Sequence, residues 1–237
     1  MQKIEYKESP SPHVIIENFL PIKAARECLE EAQALEPVYE EATVHKETGT
    51  YDGCEECVAN DTLITSMVRS NKVVYLDTFF KHRRYKSTLL NCLKTAITTH
   101  SFMETMSKLP NMFPIATQTT NMETILSSYG KCDFYGWHRD SGPEFGNWRI
   151  LTLVLHLNTE PQEYVGGELI LTGETIQDQL AYTPKHNRAI IFQSNQCLHA
   201  VNETNHEGDF KDSRFSINLW LGFPTGVPGD PEYRYKE

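Results

Sequence analysis

Two residues in the middle of the chain have the type and spacing of metal ligands. His138 and Asp140 are two positions apart in the segment Tyr129–Ser141, YGKCDFYGWHRDS. On a β-strand both side chains would point to the same face, roughly 6–7 Å apart along the chain. A second histidine, His199, ends the strand-like run IIFQSNQCLH. Two imidazoles and one carboxylate leave half of an octahedron open, as in non-haem Fe(II) sites. A lone His-x-Asp pair is a weak signal, which the distal histidine and the strand-rich context strengthen.

Arg214 is the candidate anion-binding residue. It lies fifteen residues after His199 and opens the last strand-like segment, on the polar face with Ser216 and Asn218. A guanidinium there could hold a carboxylate through two parallel charge-assisted hydrogen bonds. The alternative is an ordinary strand-edge arginine that is solvated or paired with an acid.

The elements around these residues change character along the chain. The later part predicts short strands. Leucines occupy every second position in Arg149–Asn158, and apolar residues occupy every second position in Phe215–Leu221. Glu168–Leu171, after a Gly-Gly pair, and Arg188–Gln193 are further predicted strands. This pattern favours a sandwich or barrel over a doubly wound sheet.

The earlier part predicts helices. Apolar residues recur at three- and four-residue steps after Pro21, following a strand-like stretch at 13–20, and again across Ser87–Lys108. The polar stretch 39–60 predicts a loop. It contains Cys54 and Cys57, and one Cys-x-x-Cys pair is weak evidence for a four-ligand zinc site.

Composition narrows the class of protein. The 237 residues carry a net charge of −10, which disfavours a nucleic-acid partner. No apolar stretch is long enough to span a bilayer, and the first residues do not form a signal peptide, so we expect a cytoplasmic protein without a membrane partner. The cysteines are then expected to be reduced thiols. They are Cys28, Cys54, Cys57, Cys92, Cys132 and Cys197.

Taken in order, these segments resemble the iron- and 2-oxoglutarate-dependent dioxygenases, specifically the prolyl-hydroxylase-like branch. The resemblance spans about residues 118–223, with a possible linker at Arg69–Asp77. The matching pieces are Tyr129, the His-x-Asp motif at 138–140, Arg149–Asn158, the Gly-Gly-x-Leu strand Gly166–Leu169, Arg188–His199 and Arg214–Trp220. The gap between His199 and Arg214 is longer than expected for this branch, and its polar insert Asn202–Ser213 predicts a surface loop or part of a substrate rim.

The resemblance implies a fold. We expect an α+β protein with a double-stranded β-helix (jelly roll, cupin-like) core over residues 114–223. The mainly helical residues 1–113 would pack on its outer face, and 224–237 would form a tail. The whole chain, 1–237, would be a single catalytic domain.

The resemblance also implies residue roles. His138, Asp140 and His199 would bind iron, and Arg214 would hold the distal carboxylate of 2-oxoglutarate. Three further residues are expected near that co-substrate: Tyr129, His156 and Asn218. His156 stands where some members of the family have a tyrosine, and it could instead be a packed histidine. The expected substrate rim comprises Trp220, Arg139 and Trp148, the last of which could equally be a packing residue.

The implied activity is hydroxylation of an aliphatic carbon in a protein residue, prolyl or similar, or in a free amino acid. It would use Fe(II), 2-oxoglutarate and O₂, with ascorbate as a supporting reductant, and release succinate and CO₂. Partners would be a protein, peptide or amino-acid substrate. Two alternatives remain open: an oxidative demethylase of the same superfamily, and a non-catalytic jelly-roll ligand-binding protein.

Overall fold

The computed structural model describes residues 2–43, 68–83, 86–109, 119, 121–141, 148–173 and 177–223. Cys54 and Cys57, most of the predicted 39–60 loop and the predicted tail 224–237 lie outside these ranges. The predicted start of the core at residue 114 does so as well.

The described elements are fifteen strands, four α-helices and two short 3-10 helices. The strands are β1 Lys3–Lys7, β2 His13–Glu17, β3 Glu40–Glu41, β4 Arg69–Ser70, β5 Lys72–Tyr75, β6 Asn121–Tyr129, β7 Phe134–His138, β8 Arg149–Leu157, β9 Val165–Gly166, β10 Leu169–Thr172, β11 Gln179–Tyr182, β12 Arg188–Gln193, β13 Leu198–Val201, β14 Thr204–Asn205 and β15 Arg214–Gly222. The helices are α1 Ile22–Ala34, α2 Leu76–Phe80, α3 Thr88–Ile97 and α4 His100–Ser107, with 3-10 helices at Glu36–Val38 and Phe210–Asp212.

Two antiparallel sheets form the core. The larger has the strand order β1-β2-β12-β8-β15-β6-β5-β3, and the smaller has the order β11-β10-β13-β7-β4. Apolar residues of both sheets share one buried cluster, in which Val154 and Ile190 of the larger sheet meet Leu169 and Leu171 of the smaller. The α+β jelly roll expected from the sequence is therefore present.

The helices cover the outer face of the larger sheet. Leu151, Leu153, Leu155 and Leu157 of β8 point to this face and join one apolar cluster with residues of α1 and α3. The strand alternation read from the sequence and the three-four periodicity of the helices thus serve a single core. This places the helices on the outer face, as predicted.

Two details differ from the prediction. The sheets are not confined to the later part of the chain, because β1–β5 also belong to them. β2 pairs with β12 along five residues, which covers an edge that β12 would otherwise expose. The predicted helical region at 87–108 is two helices, because Thr99 caps the second one: its hydroxyl accepts a hydrogen bond from the Phe102 N–H.

Within the described ranges, no helix combines the length and apolar character that a membrane crossing requires. Cys28, Cys92, Cys132 and Cys197 are free thiols.

Candidate metal centre

The smaller sheet brings the two histidines together. His138 ends β7 and is the cross-strand partner of His199 on β13. Asp140 follows β7 directly, and its two carboxylate oxygens lie 3.6 Å from Nε2 of His138 and 3.4 Å from Nε2 of His199. One ligand atom from each of the three residues lies within 4.8 Å of the others, so these residues could hold a metal ion.

Both imidazoles direct Nε2 to this point. Nδ1 of His138 lies 2.8 Å from the Gly136 carbonyl, and Nδ1 of His199 lies 3.2 Å from the Cys197 carbonyl. A carbonyl only accepts, so each Nδ1 carries the proton. Burial and the neighbouring His138 lower the pKa of His199 to about 4, so its ring is neutral near pH 7 and its Nε2 has no proton. Such orientation of the ligating nitrogen by a backbone carbonyl is typical of metal-binding histidines.

The Thr152 hydroxyl also holds Asp140. Burial alone would raise the pKa of Asp140, and the hydrogen bond from Thr152 is among the contacts that keep this pKa below its ordinary value. The Thr152 hydroxyl donates to Asp140 Oδ2 over 2.7 Å. Because Thr152 already donates its hydroxyl proton to Asp140, it accepts a hydrogen bond from the Ser194 hydroxyl, whose oxygen lies 2.8 Å away. Arg149 also donates to the Asp140 carbonyl.

This donor set suits Fe(II). Two imidazole nitrogens and a carboxylate oxygen converge, and Asp140 and His199 are buried. Two nitrogens and one carboxylate on one side of an ion leave other positions for a chelating co-substrate and O₂. The described residues therefore fit the iron expected from the sequence.

A bulge in β7 adds a residue that sequence reasoning missed. The register between β7 and β13 shifts, so that Val201 pairs with Tyr135 while His199 pairs with His138. Residues three positions apart on a regular strand point to opposite faces. The extra residue of the bulge instead puts Tyr135 and His138 on the same face. Their rings stack with centroids 3.6 Å apart. An aromatic residue three positions before a His-x-Asp motif is the only signal in the sequence.

The second part of the site surrounds Arg214, which is fully buried. Its Nε donates to the Gly167 carbonyl at 2.8 Å, and its guanidinium lies 4.7 Å from the centroid of the Tyr129 ring. Its remaining contacts are to Ser216 Oγ at 3.2 Å and to His156 Nδ1 at 3.4 Å. Among the described residues, none of its partners is a carboxylate, and a buried cation without an anion is costly.

Gly167 forms the back wall of this pocket. It has φ +70°, and a Cβ there would lie 2.6 Å from Cδ of Arg214. A larger residue would push the arginine out of its place. Close approach of the backbone to Arg214 thus explains the second glycine of the Gly-Gly-x-Leu motif.

His156 is neutral and has one nitrogen unused. Burial, together with the charges of Arg214 and Arg188, holds its pKa well below the ordinary value. Its Nδ1 accepts from Arg214, so Nε2 carries the proton, and that buried N–H has no partner among the described residues. Ser127 Oγ and Asn218 Oδ1 are also buried without hydrogen-bond partners.

Strand register connects the two parts of the site. On the inner face of β15, Arg214 is opposite Tyr129, Ser216 lies between Ser127 and His156, and Trp220 is opposite Thr152. A line of polar groups therefore runs from Arg214 to the threonine that holds Asp140.

The three predicted rim residues occupy different surroundings. Trp148 is 8% exposed and packs with Trp220, Val73 and Ile125, which favours the packing alternative over the substrate rim. Trp220 lies in the same cluster, under the Arg149 guanidinium at 3.9 Å, with its indole N–H unpartnered. Arg139 is exposed between the two ligands His138 and Asp140.

Comparison with known proteins agrees with this geometry. Residues 124–222 match the family model of the 2OG-Fe(II) oxygenase superfamily. An uncharacterised PKHD-type hydroxylase of Synechocystis is 30% identical over 112 residues, which cover 44% of this chain and 37% of that relative. The match thus spans little more than a third of the relative's length.

Two solved structures share the fold. A Trichoplax adhaerens prolyl hydroxylase, in complex with a hypoxia inducible factor peptide fragment, has a TM-score of 0.62 at 17% identity, covering 89% of this chain and 83% of that one. A Pseudomonas putida prolyl-4-hydroxylase has a TM-score of 0.56 at 16% identity, covering 89% of this chain and 91% of that one.

Proposed function

Because residues 124–222 form a 2-oxoglutarate- and Fe(II)-dependent oxygenase domain of the prolyl-hydroxylase-like type, we propose that this protein hydroxylates an aliphatic carbon of its substrate. The substrate is a residue of a protein or peptide, prolyl or similar, or a free amino acid. The other products are succinate and CO₂.

The residues divide into two groups in this proposal. His138, Asp140 and His199 hold Fe(II), and Arg214 holds the distal carboxylate of 2-oxoglutarate. His156 and Tyr129 line the same carboxylate pocket, and Asn218 lies on the inner face between the two ends. When bound, Fe(II), 2-oxoglutarate and O₂ supply an oxidation that yields succinate and CO₂ and places one oxygen atom in a C–H bond of the substrate.

The observation that carries the proposal is a cluster of metal-ligand atoms together with a buried cation. His138, Asp140 and His199, the triad, gather their ligand atoms in one place, and fully buried Arg214 has no carboxylate partner among the described residues. A jelly roll that merely binds a neutral ligand needs neither. Iron and a dicarboxylate would satisfy both ends together.

The chain's own groups orient the reaction and exclude water. The Nδ1–H bonds fix both imidazoles, and Thr152 fixes the carboxylate. Leu169, Leu171 and Ile190, all buried, form an apolar wall between the sheets. A dry cavity strengthens the electrostatic contacts within it.

The substrate class is supported by the relatives. Two of the structures with this fold are prolyl hydroxylases, and one of them is complexed with a peptide. We also propose a cytoplasmic location, which the four free thiols support.

Succinate release tests the proposal. Protein supplied with Fe(II) and 2-oxoglutarate, without a substrate, is expected to release succinate slowly. His138→Ala should abolish this release, since it removes a proposed iron ligand, whereas His100→Ala on an exposed helix end should not. A wild type that releases none, or a His138→Ala variant with normal release, would contradict the proposal.

A further inference from the structure

Arg69 is a second buried arginine near the triad that has no acid partner. It is 9% exposed, and its Nε donates to the Asn71 side-chain oxygen. By contrast, Arg149 pairs with Glu123 at 2.7 Å and Arg188 pairs with Glu17 at 2.6 Å. Among the described residues, no carboxylate lies within ion-pair distance of Arg69.

Arg69 lies close to the candidate metal centre. It is opposite Tyr135 in the pairing of β4 with β7, and its guanidinium lies 4.3 Å from the Tyr135 ring centroid. Tyr135 stacks in turn on His138. One aromatic ring therefore separates this cation from a proposed iron ligand.

The charge of Arg69 also reaches the co-substrate pocket. Burial raises the pKa of Tyr129, and the charges of Arg69 and Arg214 both act against this rise. The Tyr129 phenol thus lies in the field of two arginines. A guanidinium in such a buried place interacts with an anion far more strongly than one in water does.

Counting charges leaves Arg69 without a role in the proposed reaction. 2-Oxoglutarate has two carboxylates, of which, in the proposed function, one would bind iron and the other would bind Arg214. The chain as a whole carries −10, so a buried cation beside the proposed iron site is a local feature that favours an anionic molecule there. The remaining molecule in the reaction is the substrate.

We propose that Arg69 binds a carboxylate of the substrate, next to the carbon that is oxidised. This inference rests on the proposed function and narrows its substrate to a carboxylate-bearing one. The carboxylate comes from an Asp or Glu beside the target residue of a peptide, or from the α-carboxylate of a free amino acid.

Binding without turnover tests this. Protein with Fe(II) and 2-oxoglutarate is kept free of O₂ and exposed to two pools of proline-centred pentapeptides. The pools differ only beside the proline, with Asp and Glu in one and Asn and Gln in the other. L-proline and L-prolinamide form a second pair, and mass spectrometry measures what is retained. One arm tests a side-chain carboxylate and the other an α-carboxylate.

We expect at least about tenfold preference for the carboxylate member of one pair, the scale of about 1.4 kcal/mol. Arg69→Gln should remove the preference, and Arg69→Lys should keep part of it because the charge remains. Arg83→Gln is the matched control, since Arg83 lies 3.8 Å over the Phe79 ring on an exposed part of the chain. Melting temperatures of all variants report whether they fold.

Three results would overturn the inference: equal retention within both pairs, retention of no probe by the wild type, or an Arg69→Gln variant that loses 2-oxoglutarate affinity as Arg214 variants do. In each case normal succinate release would leave the proposed function standing. If succinate release alone were absent, the proposed function would be contradicted, and the retention measurement would still test the role of Arg69.

Discussion

The two faces of the larger sheet are made by the same strands and have opposite chemistry. On β15, Phe215, Ile217 and Leu219 join the apolar cluster under the helices. The alternate residues, Arg214, Ser216 and Asn218, face the smaller sheet and the triad. Both faces are buried, so burial alone does not distinguish a stabilising surface from a functional one.

What each face buries does distinguish them. The outer face buries apolar side chains that each stabilise the fold by about 1.5–3 kcal/mol. The inner face buries Arg214, which has no carboxylate partner among the described residues. Near it, the His156 N–H, Ser127 Oγ and Asn218 Oδ1 lack hydrogen-bond partners in the described part of the chain, each at a cost of about 1–3 kcal/mol. A buried cation among such polar groups points to a ligand that completes them.

The largest expected effect comes from the charged end of the inner face. Arg214→Ala should weaken 2-oxoglutarate binding by roughly a hundredfold or more, because losing the cationic partner of a desolvated carboxylate costs about 3–5 kcal/mol. Arg214→Lys should recover part of the affinity. The measurement is succinate release against 2-oxoglutarate concentration, with iron binding unchanged. An unaltered half-saturation would show that another residue holds the carboxylate.

The outer face should respond in the opposite way. Leu155 is fully buried under the helices, and Leu155→Ala should lower the free energy of unfolding by about 2–5 kcal/mol. The folded fraction should keep its half-saturation for 2-oxoglutarate. Denaturant unfolding and the same succinate titration check both halves. A changed half-saturation in folded protein would show that the faces are coupled.

A smaller effect is expected one contact away from the proposed iron. Thr152→Val keeps the shape of the side chain but removes the hydroxyl bond to Asp140, and should weaken Fe(II) binding about 10–100-fold. Thr105→Val is the control, since the Thr105 hydroxyl bonds a helix carbonyl far along the chain from the triad. Equal metal affinities in the two variants would mean that Asp140 needs no such support.

The smallest expected effect concerns pH. The pKa of His156 is held well below 6.5, so the unfolded chain takes up a proton below pH 6.5 that the folded protein does not. Stability from neutral His156 is therefore lost as pH falls. Relative to His156→Gln, the wild type should lose about 1.4 kcal/mol between about pH 7.5 and pH 5.5. If the stabilities of the wild type and of His156→Gln changed in parallel with pH, His156 would take up its proton in the folded protein as well.

The sequence alone determined much of this molecule. Period-two alternation assigned the faces of β8 and β15 correctly, because side chains on a strand must alternate. The spacing of His138 and Asp140, with a distant His199, indicated a metal centre that the structure assembles. Arg214 was found because it opens a strand on the polar face. These are local signals, readable within a few residues.

Tertiary structure alone decided the rest. Tyr135 reaches the face of His138 only through a bulge, which no alternation pattern predicts. Arg69 joins the centre through pairing of β4 with β7, between segments far apart in the chain. From the sequence, Trp148 could belong either to the substrate rim or to the core, and only its neighbours in the structure favour the core. Strand pairing and burial depend on long-range contacts, so a residue whose role is set by a distant neighbour carries no local signal of it.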